Sequence, residues 1–132
     1  MDFSTSSPIW VQLVDEFSRR IATGEWAAGS KLPGVREMAS GLGVNPNTAQ
    51  RALAELERLG LCRSERATGR FVTDDESRID EVRADLAAGA ADTFVHRARG
   101  LRMARDQARA LLEQRWDSHD HHTTDVPDTG GA

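Results

Sequence analysis

Gly43 and Pro46 mark the end of one predicted helix and the start of the next, with only two residues between them. Glycine favours the left-handed conformation that ends helices, and proline suits the first helical position when a capping residue such as Asn45 precedes it. Both flanking segments carry apolar residues at helical spacing, namely Met38, Ala39 and Leu42 before the turn and Ala49, Leu53, Leu56 and Leu59 after it. Two short helices joined by so tight a turn predict a helix-turn-helix unit.

The segments on either side extend this unit into a winged-helix domain. A helical stripe of apolar residues precedes it, formed by Ile9, Trp10, Leu13, Val14, Phe17 and Ile21. We expect Ser7 to cap this first helix and Pro8 to be its first residue. After Gly60 closes the third helix, strand candidates at Leu61–Ser64 and Arg70–Thr73 predict a small β-hairpin, the wing. The predicted fold is therefore mainly α with a β-hairpin wing.

Residues 74–117 carry two further helical patterns, whose apolar stripes a small hairpin cannot cover by itself. We expect a second copy of the chain to cover them, which makes this region a two-helix C-terminal dimerisation hairpin. The expected interface residues are Ile79, Val82, Leu86, Gly89, Ala90, Phe94, Leu111, Leu112 and Trp116. The predicted layout is an N-terminal arm at 1–7, the winged helix-turn-helix at 8–73, the dimerisation region at 74–117 and a disordered tail at 118–132.

Charge is distributed unevenly along the 132 residues, whose formal net charge is −4. The first 73 residues hold nine basic and eight acidic residues, a balance of +1, and the rest hold eight and thirteen, a balance of −5. The acidity therefore lies outside the winged domain, which leaves that domain free to present a basic face.

Several function classes find no support in the sequence. One cysteine, Cys62, permits no internal disulfide, and no apolar run approaches the roughly 18 residues of a membrane span. The N-terminus has no basic start followed by an apolar run, so we expect a cytoplasmic protein. No Ser-His-Asp set or phosphate-binding glycine loop is present, so an enzyme is not expected. The histidines of segment 119–122 fall in the predicted tail, and no metal or cofactor is expected.

The third helix has the chemistry of a DNA-reading helix. The second helix of such a unit enters the major groove, and side chains near its N-terminus reach base edges. The residues on that surface are Asn45, Asn47, Thr48, Gln50 and Arg51. Asparagine and glutamine pair well with adenine, and arginine pairs with guanine or phosphate. In the wing, Gly69 can approach the sugar-phosphate backbone closely, while Arg66 and Arg70 supply positive charge. These patterns predict double-stranded DNA as the partner.

Three other interpretations remain open. The polar face of the third helix is also typical of a solvated surface with weak ion pairs, and winged domains also serve as protein-interaction modules without DNA binding. A sensor gated by a ligand or a metal is the third class.

Residues 8–72 resemble the DNA-binding domain of the GntR family of bacterial transcription regulators. The resemblance rests on the markers Ile21-x-x-Gly24, Gly29-x-x-Leu32-Pro33, Arg36-Glu37-x-Ala39, Leu42-Gly43-Val44, Asn47-Thr48, Arg51-Ala52-Leu53, Leu56-Glu57 and Gly60-Leu61. The run 44–48 and the short C-terminal part are similar to the YtrA-like subgroup.

This resemblance implies a homodimeric regulator that binds an inverted-repeat operator, most simply as a repressor. It also implies that Arg36, Asn47, Thr48, Arg51 and Gly69 lie at positions the family uses for DNA. Departures from the usual pattern occur at Gly34-Val35, Gln50, Ala67 and Arg70. They bear on which operator is read. Whether an effector exists is not implied.

Overall fold

The computed structural model describes residues 1–124 and confirms the mainly α fold with a two-stranded wing. Its elements are α1 (Ile9–Thr23), α2 (Val35–Leu42), α3 (Pro46–Arg58), β1 (Cys62–Glu65), β2 (Gly69–Val72), α4 (Glu76–Gly100) and α5 (Arg105–Thr124). The chain divides into two compact units, Met1–Ala88 and the part from Gly89 onward, with the boundary inside α4. No helix among residues 1–124 is both long and apolar enough to cross a bilayer.

The first unit is built around the apolar faces of its three short helices. Phe17 and Leu13 of α1 meet Leu53 and Leu56 of α3, and all four side chains are fully buried. Burial of each such side chain contributes roughly 1.5–3 kcal/mol. This core fixes α3 against α1 and leaves the opposite, polar face of α3 in solvent.

The predicted helix ends of the helix-turn-helix are confirmed by their capping bonds. The Asn45 side-chain oxygen accepts the backbone N–H of Asn47 at 2.8 Å. Gly43 ends α2 in the left-handed conformation, with a φ of 69°. At the end of α3, the Leu61 N–H donates to the Leu56 carbonyl at 2.9 Å, which orients the chain into the wing.

The start of α1 differs from the prediction. Pro8 is the N-cap rather than the first helical residue, and no side chain caps the helix. Gln12 instead binds the arm: its amide nitrogen donates to the Ser4 and Ser7 carbonyls, and its amide oxygen accepts the Ser4 N–H, each at 2.8 Å. The arm of residues 1–7 is thereby attached to α1.

The wing strands pair antiparallel, with Cys62 opposite Val72 and Glu65 opposite Gly69. Each of their bounds lies one residue from the predicted bound. A short extended segment around Lys31 pairs with β2 along the edge that does not face β1. There the Leu32 N–H donates to the Arg70 carbonyl at 2.8 Å. Sequence patterning did not predict this third partner, because it is a single bridge between Lys31 and Phe71.

The first part of α4 belongs to the winged domain, which corrects two expected dimer-interface residues. Ile79 and Val82 are only 2% and 4% exposed and lie in the core of the first unit. Leu86 packs against the same core. The Arg78 Nε also donates to the Leu59 carbonyl at 2.8 Å. The apolar stripe at the start of α4 is therefore covered by its own chain rather than by a second copy.

The second unit contains the rest of α4 and α5. Gly89 and Ala90 are exposed, and Phe94 and Leu111 are half-buried. The expectation of a disordered tail from residue 118 is wrong for residues 118–124, because α5 continues to Thr124. Residues 125–132 of the predicted tail lie outside the described residues.

Candidate nucleic-acid interface

The N-terminal part of α3 presents a polar surface. Asn47, Gln50 and Arg51 are exposed, and Thr48 is half-buried. The oxygen of Asn45 is engaged as the cap, so this residue presents its amide nitrogen. The buried face of the same helix carries only alanine and leucine, at Ala49, Ala52, Leu53 and Leu56. This division gives α3 a fixed back and a hydrogen-bonding front.

Arg51 is held in place by a contact that sequence patterning missed. Its guanidinium carbon lies 4.1 Å from the centroid of the Trp10 ring, on α1. The sequence pattern places Trp10 in the apolar stripe of the first helix, and in the structure it is half-buried. The stacked face of the guanidinium is covered by the indole. Its N–H groups lie in the plane of the guanidinium and remain able to donate.

Arg70 has a different position from the one expected of a wing contact. Its side chain is only 17% exposed, and its Nε donates to the Glu57 carboxylate at 2.7 Å. Its Nη1 donates to the Gln50 amide oxygen at 3.3 Å. Both partners lie on α3, so Arg70 connects β2 of the wing to α3. This corrects the expectation that Arg70 supplies free positive charge to the DNA backbone.

Glu57 is the centre of this wing-to-helix network. The hydroxyl of Ser64, on β1, donates to the same carboxylate oxygen that accepts from Arg70. These two hydrogen bonds, first from Ser64 and then from Arg70, lower the pKa of Glu57 below its ordinary value of 4.5. The ionised carboxylate therefore binds both wing strands to α3 at neutral pH.

The tip of the wing is exposed and basic. Arg66 is exposed in the turn, and Ala67 adopts a φ of 64° there. Gly69 has a φ of 116°, and a Cβ at that position would lie 3.0 Å from the Cε of Lys31. A side chain at residue 69 would thus be strained and would crowd Lys31. Lys31 was not predicted as a site residue, because only the third extended segment brings it beside the wing.

Arg36 and Cys62 lie at opposite extremes of exposure. Arg36 is exposed near the start of α2, as a DNA contact requires.

Cys62 is buried, and burial raises the pKa of its thiol to about 11. The thiol is therefore neutral at physiological pH and acts as a small apolar core side chain. Among residues 1–120, no group of three or more metal-ligating side chains is close enough to hold a metal ion.

The comparisons with known proteins agree with this geometry. The profile described as bacterial regulatory proteins of the gntR family matches residues 11–72. The uncharacterised HTH-type transcriptional regulator YhcF of Bacillus subtilis is 36% identical over 105 residues, which cover 80% of this chain and 87% of YhcF. This chain belongs to the GntR family. Like the family, it is a DNA-binding transcriptional regulator rather than an enzyme.

One further relative and two solved structures are also similar to this chain. The HTH-type transcriptional repressor YtrA of Bacillus subtilis is 35% identical over 75 residues, covering 57% of this chain and 58% of YtrA. A GntR family regulator from Listeria monocytogenes has a TM-score of 0.71 and 37% identity, covering 85% of this chain and 98% of that one. The AraR DNA-binding domain in complex with operator ORR3 has a TM-score of 0.50 and 27% identity, covering 55% of this chain and 88% of that one.

Proposed function

We propose that this GntR regulator acts as a homodimer in the cytoplasm of a bacterium, binds an inverted-repeat operator in a sequence-specific manner and represses transcription by obstructing polymerase. The observation that carries the proposal is the front of α3, where Asn47, Gln50 and Arg51 are exposed and Thr48 is half-buried, on a helix whose back is fixed in the core. In a helix-turn-helix protein, this part of the helix reaches base edges in the major groove.

The basic residues around α3 support a role in backbone anchoring. Arg36 at the start of α2 and Arg66 at the wing tip are both exposed. Lys31 lies beside Gly69, where the wing has no side chain to keep a sugar-phosphate backbone at a distance. Charges of this kind position a protein on DNA, and they make its affinity depend on salt.

The apolar surface of the second unit supports the homodimer. Leu112 and Trp116 stand four residues apart on α5, so they share one face of the helix, and they are 52% and 74% exposed. Val95 on α4 is 49% exposed. Exposed large apolar side chains in one small unit are typical of an interaction surface. A second copy is the favoured occupant, because a two-fold operator needs two reading heads about 34 Å apart.

Repression is the simplest sign of regulation for a short chain of this type. YtrA, which is 35% identical over the matched region, is named a transcriptional repressor. Blocking polymerase requires only a tightly held operator. Activation requires a specific contact with the transcription machinery in addition.

The test begins with selection of duplexes from a random library by the full chain, followed by binding measurements in increasing salt. We expect an inverted repeat to emerge and the protein to bind it as a dimer by light scattering. Arg36→Ala and Arg51→Ala should each weaken binding and reduce the salt slope by about one. Transcription in vitro from a promoter carrying the selected site should fall. Glu113→Ala, on α5, serves as the control.

The results separate the proposal from its rivals. Recovery of no duplex, with a folded protein, would favour a protein-interaction module. A selected site that both arginine variants bind as tightly as the unmodified chain would contradict the assignment of the reading surface.

A further inference from the structure

The Gln50 amide is oriented by a neighbour that can only donate hydrogen bonds. The Arg70 guanidinium has five N–H donors and no acceptor, and its Nη1 lies 3.3 Å from the Gln50 Oε1. A glutamine bonded in this way must turn its oxygen toward the arginine. Its nitrogen, with two N–H donors, is then turned away from Arg70, and Gln50 itself is exposed.

Arg70 is itself fixed, so this orientation is built into the fold. Its Nε donates to Glu57 at 2.7 Å, and Glu57 also accepts from Ser64. The side chains of Arg70 and Glu57 are 17% and 31% exposed, so the ion pair is partly shielded from water. A guanidinium anchored at Nε has little freedom to move its Nη1 away from Gln50.

We infer that Gln50 reads its base pair as a hydrogen-bond donor and therefore selects guanine rather than adenine. Glutamine recognises adenine by using its oxygen and its nitrogen together, the oxygen accepting from N6 and the nitrogen donating to N7. Arg70 draws the oxygen toward the wing, so the nitrogen is the atom that faces the base edge, where the N6 amino group of adenine, itself a donor, opposes it. Guanine presents two adjacent acceptors, N7 and O6, which suit a nitrogen with two N–H donors. The inference differs from the expectation from sequence, in which Gln50 pairs with adenine.

Arg70 is accordingly a positioning residue for base selection. It lies on the wing and orients a side chain of the reading helix, and its own charge is neutralised by Glu57. The inference rests on the proposed function, since it requires that α3 reads DNA.

The experiment uses the full chain and the duplex selected from the random library. Gln50→Ala first identifies the base pair that Gln50 reads, because preference at that pair should disappear while the other pairs keep theirs. At that pair, the unmodified protein should bind the guanine duplex about tenfold more tightly than the adenine duplex. Replacing the guanine by 7-deazaguanine removes the N7 acceptor and should cost several-fold in affinity. Inosine keeps both major-groove acceptors and should bind like guanine.

Two variants test the role of Arg70. Arg70→Met keeps the apolar stem and removes the donors, which frees the Gln50 oxygen and should shift the preference from guanine toward adenine. The readout is the ratio of the two affinities, which a uniform loss from a loosened wing does not change. Arg63→Met, on β1 and bonded to Glu65 at 3.2 Å, is the matched control and should leave the ratio unchanged.

Each outcome bears on a different claim. If no duplex is selected, the proposed function fails and takes this inference with it. If a duplex is selected but the unmodified protein prefers adenine at the Gln50 pair, or if Arg70→Met leaves the guanine preference intact, only this inference is overturned. The same holds if Gln50→Ala alters no base preference.

Discussion

Arg51 of α3 lies over the ring of Trp10 on α1, with its guanidinium carbon 4.1 Å from the ring centroid. A cation stacked on an indole is attracted by the negative face of the ring, which is worth about 0.5–1 kcal/mol at an exposed site. The contact gives the long, flexible arginine a preferred direction before DNA arrives. In the proposed binding mode, part of the entropy that Arg51 would lose on binding DNA is thereby removed in advance.

Trp10→Leu should therefore weaken operator binding through Arg51. We expect a loss of about threefold in affinity, as the stacking energy implies. Fluorescence anisotropy with a labelled operator measures the change. In an Arg51→Ala background, Trp10→Leu should cost little more, because the partner of the indole is already gone. Equal losses in both backgrounds would mean that Trp10 acts on binding independently of Arg51.

Glu57 should make the stability of the winged domain depend on acid. Its pKa is lowered in the folded state by Ser64 and Arg70, so its ionised form stabilises the fold. That contribution is present above the ordinary pKa of 4.5 and is lost as the pH falls through the lower folded-state value. Glu57→Gln should lower the free energy of unfolding by about 1 kcal/mol at neutral pH.

Urea unfolding followed by circular dichroism across acidic pH measures this effect. The gap between the unmodified chain and Glu57→Gln should narrow as the pH falls below 4.5. Glu113→Gln, at an exposed position on α5, is the matched control and should show no comparable gap. A gap that keeps its size in acid would show that the substitution acts through shape rather than through charge.

The helix-turn-helix and the wing were predictable because their signals are local. Gly43, Asn45 and Pro46 determine helix ends within a few residues, and the apolar stripes determine which face is buried. The same local rules failed at Ser7 and Pro8, where Gln12 provides the hydrogen bonds instead of a cap. The elements that the structure confirms are thus those that are stabilised by contacts between residues close together in the sequence.

The site contacts were not predictable because their partners are distant in sequence. Arg70 finds Glu57 and Gln50 only after the wing folds back on α3, and Arg51 finds Trp10 only after α1 packs on α3. Arginine has no preferred partner in sequence, since any acceptor or ring within reach satisfies it. Residue type therefore predicted a polar surface, but not which atoms of it remain available.

The predicted dimerisation region shows a related limit. The stripe containing Ile79 and Val82 was recognised as apolar, but an apolar stripe does not identify the surface that covers it. In the structure it is covered by the core of the first unit.

Val82→Ala and Val95→Ala form a matched pair on α4 that separates core from interface. Val82 is 4% exposed and lies in the core, whereas Val95 is 49% exposed. Val82→Ala should lower the free energy of unfolding by about 2 kcal/mol, because it removes buried methyl groups and leaves a cavity. Val95→Ala should change the unfolding of the monomer by less than about 0.5 kcal/mol. Chemical denaturation at several protein concentrations measures both, and a larger loss at Val95 would contradict the assignment.

Trp116→Arg should separate the proposed dimer without unfolding the chain. The indole is 74% exposed, so its replacement removes little packing within one copy, while a buried charge at a two-fold interface is repelled by its own symmetry mate. We expect the dimer dissociation constant to rise by more than about tenfold, as for a central aromatic anchor. Leu112→Arg, one turn away on the same face, should act in the same direction. Light scattering across a dilution series measures the constant, and circular dichroism confirms that helix content is kept.

Gln114→Arg, on another face of α5, adds the same charge and should leave the dimer intact. If the dimer dissociation constant is unchanged in both Trp116→Arg and Leu112→Arg, the two copies make contact elsewhere on the chain.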